Sequence, residues 1–400
     1  MHRNRIERAE GDKVVPTKGI FTTRQMEDIA RKRLPRAVFD FVEGGAGAEL
    51  AIARNRRRFE EIALLPQALR DCAAASTEVT IFGRRYAAPF AVAPMGFADL
   101  VRPGTDRALA RAAKEKNIPY VLSTAATTAI EPINAIAQDN LWFQLYPGSD
   151  EAMAARLMER ALNVGVTTLL ATVDIPVPAK RVRDRMNGLA IPLRPSLRTV
   201  LDVARHPAWL MRAALGERLG MANFMDSKGG MSGLAHAEFV SRQLSCPALD
   251  WRRIEAIRKA WPHNLVIKGI LNPRDALTAS KLGADGIVVS NHGGRQLDAA
   301  PASIEVFPAI RDACGDALTL ILDSGVRNGD DIAKSLASGA DFVLLGRAFL
   351  YAVGSMGLER GPATIIDMLR EELLNTLIHL GCTTPGELNR EFLWPPAAGR

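Results

Sequence analysis

Four cysteines in 400 residues, none in a C-x-x-C pair, give no basis for a disulfide framework, a thiolate zinc site or a dithiol redox centre. Cys72, Cys246, Cys314 and Cys382 are scattered, as in a chain that works in a reducing compartment. No stretch of 18 apolar residues occurs, so a spanning helix is not expected. Aromatic residues make up only 6% and do not interleave with the basic ones, which removes the stacking platform of a nucleic-acid binder. No G-x-G-x-x-G followed by a ribose-binding acid appears, so a nicotinamide dinucleotide fold loses support. The first 19 residues are polar and lack the apolar core of a secretory signal; residues 1–21 are expected to form a flexible tail.

What is present is 48% hydrophobic and 24% charged residues, enough for one large core. The net charge of +7 is concentrated: from Lys180 to Lys228 there are ten Lys/Arg against four Asp/Glu, a surplus of six. The same stretch carries Val200, Val203, Trp209, Leu210, Ala213, Ala214, Leu219 and Met221 at helical spacing. Two readings stay open. One is a solvated amphipathic flap over an active site. The other is a surface helix touching anionic lipid, which would place a cytoplasmic protein at the inner face of the cell membrane.

Short apolar runs alternate with helical stretches from about residue 88 onward. Strands are predicted at 90–94, 120–123, 142–146, 168–174, 265–269, 286–290, 319–323 and 342–346. Helices are predicted at 106–116, 132–138, 150–163, 273–282, 302–314, 330–338 and 362–378. Eight βα units favour an α/β closed (β/α)8 TIM barrel over a doubly wound sheet. A helical segment at 22–53, interrupted at Glu43-Gly44-Gly45-Ala46-Gly47, precedes it, and a long insert, 175–263, follows strand 4. The expected organisation is a single barrel domain, 22–385, with a tail at 386–400 and irregular closure at Leu393-Trp394.

The most informative segment is Ser290-Asn291-His292-Gly293-Gly294-Arg295-Gln296-Leu297-Asp298, directly after Gly286-Ile287-Val288-Val289. A histidine there supplies a base near neutral pH, and an arginine three residues on supplies a fork for a carboxylate. Alone, such a histidine is more often a hydrogen-bonded loop residue. Other polar residues, however, fall at strand carboxyl ends too: Gln144 and Tyr146, Thr172 and Asp174, Lys268, Asp323, Gly346 and Arg347. Asp323-Ser324-Gly325-Val326-Arg327 and Gly346-Arg347 occupy the strand 7 and 8 loops at which barrels commonly hold a phosphate. Lys268, pointing inward, would need an anion to meet it.

The nonapeptide resembles the signature of the FMN-dependent 2-hydroxy acid oxidases and dehydrogenases, which include glycolate oxidase, quinone-linked L-lactate dehydrogenase and mandelate dehydrogenase. The resemblance covers roughly residues 22–385. It implies FMN as cofactor, bound by Ser123, Gln144, Thr172, Lys268, Ser290 and Asp323. Ala93-Pro94-Met95-Gly96 would pass beside the ring, and Gly325, Arg327, Gly346 and Arg347 would be at the phosphate. It implies His292 as base, Asp174 as its orienting partner, Tyr146 on the reacting oxygen, and Arg181 with Arg295 on the substrate carboxylate.

Two positions depart from the family pattern. Phe41 stands where lactate and glycolate enzymes usually carry a tyrosine, so one hydroxyl to the carboxylate is missing. Ala125 stands where glycolate oxidase has a bulky aromatic, which favours a larger or aryl substrate. The expected reaction is oxidation of an (S)-2-hydroxy acid of lactate or mandelate type to the 2-oxo acid, with quinone or another acceptor taking the electrons. The alternatives are an oxidase that forms hydrogen peroxide from oxygen, an FMN isomerase, and a non-catalytic FMN- or phosphate-binding barrel. The resemblance also implies a homo-oligomer, commonly a tetramer, and no heme-binding module is recognised ahead of the barrel.

Overall fold

The computed structural model describes residues 19–188, 196–216, 219–227 and 244–394. Most of the expected N-terminal tail, residues 1–18, therefore lies outside the described residues, as do parts of the fourth crossover and residues 395–400. Eight short parallel strands close into a barrel in sequential order. They are β1 (Phe90–Val92), β2 (Tyr120–Ser123), β3 (Leu141–Leu145), β4 (Thr168–Thr172), β5 (Asn264–Ile270), β6 (Gly286–Val289), β7 (Thr319–Leu322) and β8 (Phe342–Leu345). The ring closes where Val343 of β8 pairs with Phe90 of β1. These strands are apolar on both faces because helices cover the outside while the barrel fills its own inside. The predicted strands and crossover helices lie where expected, within a few residues at their ends.

Inside the barrel, Ala91, Val121, Trp142, Leu170, Val266, Val288, Ile321, Phe342 and Leu344 form one apolar cluster. Its amino-terminal end is plugged by an antiparallel hairpin, Val79–Ile81 with Arg84–Tyr86. Tyr86 lies edge-on to Trp142 with ring centroids 6.3 Å apart, and Trp142 Nε1 donates to the Tyr86 hydroxyl at 3.3 Å. Phe342 completes a triangle of rings, 5.8 Å from Trp142 and 6.4 Å from Tyr86. With one end sealed by aromatics, the opening lies at the carboxyl ends of the strands.

Three helices precede the barrel: α1 (Thr23–Arg33), α2 (Arg36–Glu43) and α3 (Leu50–Glu61). Thr22 caps α1 in a reciprocal box with Gln25. The expected uninterrupted run up to Glu43 is broken at Pro35, which has no N–H to donate and turns Leu34 to extended geometry. β8 is followed by a helix the sequence pattern did not reveal, Arg347–Met356, before the long Gly361–His379. Leu393–Trp394, expected to be irregular, pairs antiparallel with Ala63–Leu64.

In the fourth crossover, helices Leu197–Ala204 and Pro207–Leu215 lie beside the mouth. Trp209 Nε1 donates to the Leu100 carbonyl at 3.1 Å, which pins the second helix to the loop after β1. Leu197, Val200, Leu201, Leu210, Met211, Leu215 and Leu219 are exposed, so Val200, Leu210 and Leu219 of the apolar positions noted in the sequence face outward, while Met221 is buried. Among the described residues no helix is long and apolar enough to cross a membrane.

The aromatic plug leads to a stability prediction. Trp142 is 2% exposed, and Trp142→Ala is expected to lower stability by about 3–5 kcal/mol, read as a lower urea midpoint. An unchanged midpoint would mean that the hairpin does not need its central ring.

Candidate active site at the barrel mouth

Alternation along the strands decides what reaches the mouth, because the residue two places beyond an inward apolar side chain is also inward. Above the apolar floor the next inward positions are Ala93, Ser123, Gln144, Thr172, Lys268, Ser290, Asp323 and Gly346. Ser123 Oγ donates to Gln144 Oε1 at 2.9 Å, and Gln144 Nε2 donates to Thr172 Oγ1 at 2.9 Å. Across the ring, Lys268 Nζ lies 2.7 Å from Asp323 Oδ2 and donates to Ser290 Oγ at 2.9 Å. The ammonium expected to await an external anion is thus already paired. Burial alone would lower its pKa, but Asp323 and then Asp174 hold it above the usual lysine value.

His292 stands at the start of the β6 loop with a φ of 58°, a left-handed backbone that a histidine adopts only when its surroundings impose it. Its N–H donates to Ser290 Oγ at 3.0 Å, and its Nδ1 lies 2.9 Å from Asp174 Oδ1. Gly269 makes room for that carboxylate: its φ is 106°, and a Cβ there would come within 2.6 Å of Asp174. Burial would raise the Asp174 carboxyl, but the His292 charge and hydrogen bond, followed by the Lys268 charge, bring it below its ordinary value. Asp174 Oδ2 is buried with no hydrogen-bond partner among the described residues.

The same loop grips two helix ends. Arg295 Nη1 donates to the carbonyls of Phe41 (2.8 Å) and Gly44 (3.0 Å) at the carboxyl end of α2. Asp298 accepts from the N–H groups of Ala48 (2.7 Å) and Ala51 (3.1 Å) at the start of α3. Each charge has the sign that its helix end favours. Between these contacts Asn291 and Asn55 exchange amide hydrogen bonds at 2.7 and 2.9 Å.

Burial, and then the neighbouring charges of Arg181 and Arg347, pull the Arg295 pKa well below its usual value, against the opposing pull of Asp184 and Tyr146. Since a guanidinium does not give up its proton in a protein, Arg295 stays charged, and among the described residues it has carbonyls but no carboxylate as hydrogen-bond partners. Tyr146 sits in the same field: burial first, then Asp174, raise its phenol, while Arg181 and Arg295 act the other way. It therefore keeps its proton and remains a donor. His292, Asp174, Tyr146, Arg181 and Arg295 are thus gathered in one electrostatic neighbourhood.

Other expected residues occupy less direct places. Gly325 has a φ of 104°, and its missing Cβ accommodates the Asn55 carbonyl and Phe59 ring of α3 at 3.1 Å. Arg347 donates through Nε to Val42 O (3.1 Å), through Nη1 to Gly293 O (2.9 Å) and through Nη2 to the carbonyls of Glu43 and Gly44 (3.2 and 3.1 Å). Arg327 donates to Val326 O and lies 6.0 Å from the Tyr351 ring centre. Phe41, lacking the hydroxyl, sets its ring 5.2 Å from the Arg295 guanidinium. Ala125 is buried, and a Cβ on Gly96 would lie 3.0 Å from its methyl. Pro94 and Met95 are half-buried on the same loop.

Sequence reasoning missed Asp184, Asn55, Gly269, the helix-capping role of Asp298, and the contact of Ser324, whose Oγ accepts from the Gly293 N–H at 2.9 Å. Asp298 and Ser324 carried a signal, as members of the nonapeptide and of the strand 7 loop motif.

These groups fit the expected mononucleotide. Gly346 is the N-cap of Arg347–Met356, and no side chain caps that helix, so its first N–H groups suit a phosphate. The polar ring of Ser123, Gln144, Thr172, Lys268 and Ser290 offers donors and acceptors to a flat heterocycle. A Cβ on Gly346 would make only ordinary contacts with Met95 (3.6 Å) and Ala93 (3.8 Å), which places those three beside one another.

Comparison with known proteins agrees. The family model described as FMN-dependent dehydrogenase matches residues 30–395. The L-lactate dehydrogenase of Caulobacter vibrioides is 38% identical over 375 residues, 94% of this chain and 97% of that one. The L-lactate dehydrogenase of Azorhizobium caulinodans is 39% identical over 366 residues, 91% of this chain and 96% of that one. Among solved structures, a monotopic membrane protein, (S)-mandelate dehydrogenase, superposes with a TM-score of 0.89 at 36% identity, covering 94% of this chain and 99% of that one. Mandelate oxidase with (S)-4-hydroxymandelic acid superposes with a TM-score of 0.81 at 34% identity, covering 94% and 98%.

The lowered Asp174 carboxyl sets a pH signature. Its pairing contributes fully above the unfolded aspartate value of ~4 and is lost as pH falls through the lower folded value. The stability difference between the wild type and Asp174→Asn should therefore narrow only below pH ~4. A difference that stays constant into stronger acid would mean that the carboxylate is not held by this pairing.

Proposed function

The chain belongs to the FMN-dependent dehydrogenase family, and from that premise we propose that it oxidises the (S)-enantiomer of a mandelate- or lactate-type 2-hydroxy acid and passes the electrons to a membrane quinone. FMN is its cofactor and 2-hydroxy acids are its substrate class. When bound, FMN supplies the two-electron acceptor that none of these side chains can provide.

The observation that carries the proposal is the buried excess of guanidinium charge at Arg295 beside the His292–Asp174 pair. Arg295 and Arg181 would take the substrate carboxylate, which relieves the repulsion between them and fixes C2 in place. With Nδ1 committed to Asp174, the Nε2 of His292 is the nitrogen left to receive the substrate's proton, and the aspartate stabilises the imidazolium that forms. Tyr146, still protonated, would donate to the reacting oxygen. Lys268, fixed between Asp323 and Ser290, would hold positive charge against the reduced cofactor.

Two features support a larger side chain and a membrane acceptor. Phe41 supports Arg295 through its ring and carbonyl, and Ala125 leaves a small methyl at the β2 loop. Met186, Leu197 and Leu215 are 72%, 76% and 88% exposed, in a segment rich in arginine. Such a face suits the headgroup boundary of an anionic bilayer. It also parallels the neighbour described as a monotopic membrane protein.

Anaerobic mixing with substrate tests the assignment. His292→Ala should bind FMN as the wild type does, yet be reduced ~10²- to 10⁴-fold more slowly; rapid reduction would remove His292 from the base role. Mandelate should reduce the wild type more efficiently than glycolate, and a quinone analogue should reoxidise it faster than oxygen does. A preference for glycolate, or for oxygen, would overturn that part of the reading. The protein should also sediment with anionic vesicles, and Leu201→Asp with Leu215→Asp should abolish this.

A further inference from the structure

The short helix α2, eight residues long, lacks the means to satisfy its own ends. Its N-cap is Pro35, which makes no side-chain cap; its first turn has no acid and its last turn no base. Both ends are completed from distant parts of the chain. At the amino end, the Arg36 N–H donates to Asp202 Oδ2 at 2.6 Å across 166 residues of sequence. Asp202 belongs to the crossover helix Leu197–Ala204. At the carboxyl end, the Phe41 carbonyl accepts from Arg295 Nη1 at 2.8 Å, and the Val42 and Glu43 carbonyls accept from Arg347. A carboxylate at one end and two guanidiniums at the other match the helix dipole.

We infer that Asp202 is a positioning residue for substrate binding, acting along α2 to set where Arg295 stands. The inference rests on the reading that Arg295 takes the substrate carboxylate. Eight residues span about 12 Å, so the helix moves as one short rod. Releasing its amino end lets the rod shift, and Arg295, bonded to its last carbonyls, shifts with it. The contact is a backbone cap, because the Arg36 side chain turns instead to Asp40 at 3.4 Å. Just beyond the helix that carries Asp202, at the N-cap of the next, His206 Nδ1 lies 2.8 Å from the Asp202 backbone carbonyl. The crossover that carries the exposed apolar face is thereby tied to the carboxylate clamp.

The test is anaerobic flavin reduction of the holoenzyme over a range of mandelate and lactate concentrations, with thermal midpoints measured alongside. Asp202→Ala should raise the half-saturating concentration on the order of tenfold, since small misplacements of a clamp are costly, while the limiting rate stays within about twofold. Asp202→Asn should stay within about twofold of the wild type on both, because an asparagine oxygen caps as well as an aspartate oxygen. Half-saturation unchanged in Asp202→Ala, even with a lowered thermal midpoint, would overturn the inference, as would an Asn variant as weak as the Ala variant. Arg295→Lys serves as the reference. If it leaves half-saturation unchanged, the carboxylate reading falls and the inference with it; if it raises half-saturation while Asp202→Ala does not, only the inference falls.

Discussion

The structure depends on how one loop is wedged between two helix ends. Residues 290–298 leave β6, turn through a left-handed histidine, and place Arg295 on the carbonyls that end α2 and Asp298 on the N–H groups that begin α3. Each contact gives a helix end the charge it lacks, a term of about 0.3–2 kcal/mol apiece. The larger effect is geometric. Because the loop is held at 291, 295 and 298, the His292 ring has little freedom, and Asp174 meets it through the gap left by Gly269.

Charge is distributed unevenly around this mouth. On the β5 to β7 side, Lys268 and Asp323 neutralise each other, and Ser290 and Ser324 satisfy the remaining polar atoms. Breaking such a buried pair by removing one partner typically costs about 3–5 kcal/mol. On the α2 side, Arg181, Arg295 and Arg347 repel one another; Asp184 lies 3.9 Å from Arg181 and Glu43 3.8 Å from Arg347, while Arg295 makes no ion pair among the described residues. Asp184 is a buried carboxylate beside them, and its own pKa is raised by burial despite Arg295 and Arg181. The protein thus holds a balanced cation where a cofactor is expected and an unbalanced cluster where a substrate anion is expected.

Much of this was legible in the sequence, for a physical reason. A buried barrel strand is a short apolar run, and eight such runs separated by helix-length segments leave few alternative folds. Gln144, Thr172, Lys268, Ser290 and Asp323 could be placed at strand carboxyl ends from the sequence pattern, whereas Ser123 was expected there only from the family resemblance. What escaped notice was contact between distant segments. The pairing of Asn55 with Asn291 spans 236 residues and leaves no local trace. The helix Arg347–Met356 is apolar on nearly every face and reads as a continuation of the strand before it. Gly325 is expected at the phosphate from its loop; that its bare Cα also lies against α3 leaves no trace in the local sequence.

The central claim is that the guanidinium excess at the barrel mouth exists to receive a substrate carboxylate next to the His292–Asp174 pair. A crystal structure of the FMN-loaded protein with a slow 2-hydroxy acid analogue tests it most directly. The account predicts the carboxylate between Arg181 and Arg295, with the 2-oxygen within hydrogen-bond reach of Tyr146 and His292. A carboxylate bound away from both arginines, or a His292 turned away from C2, would contradict it.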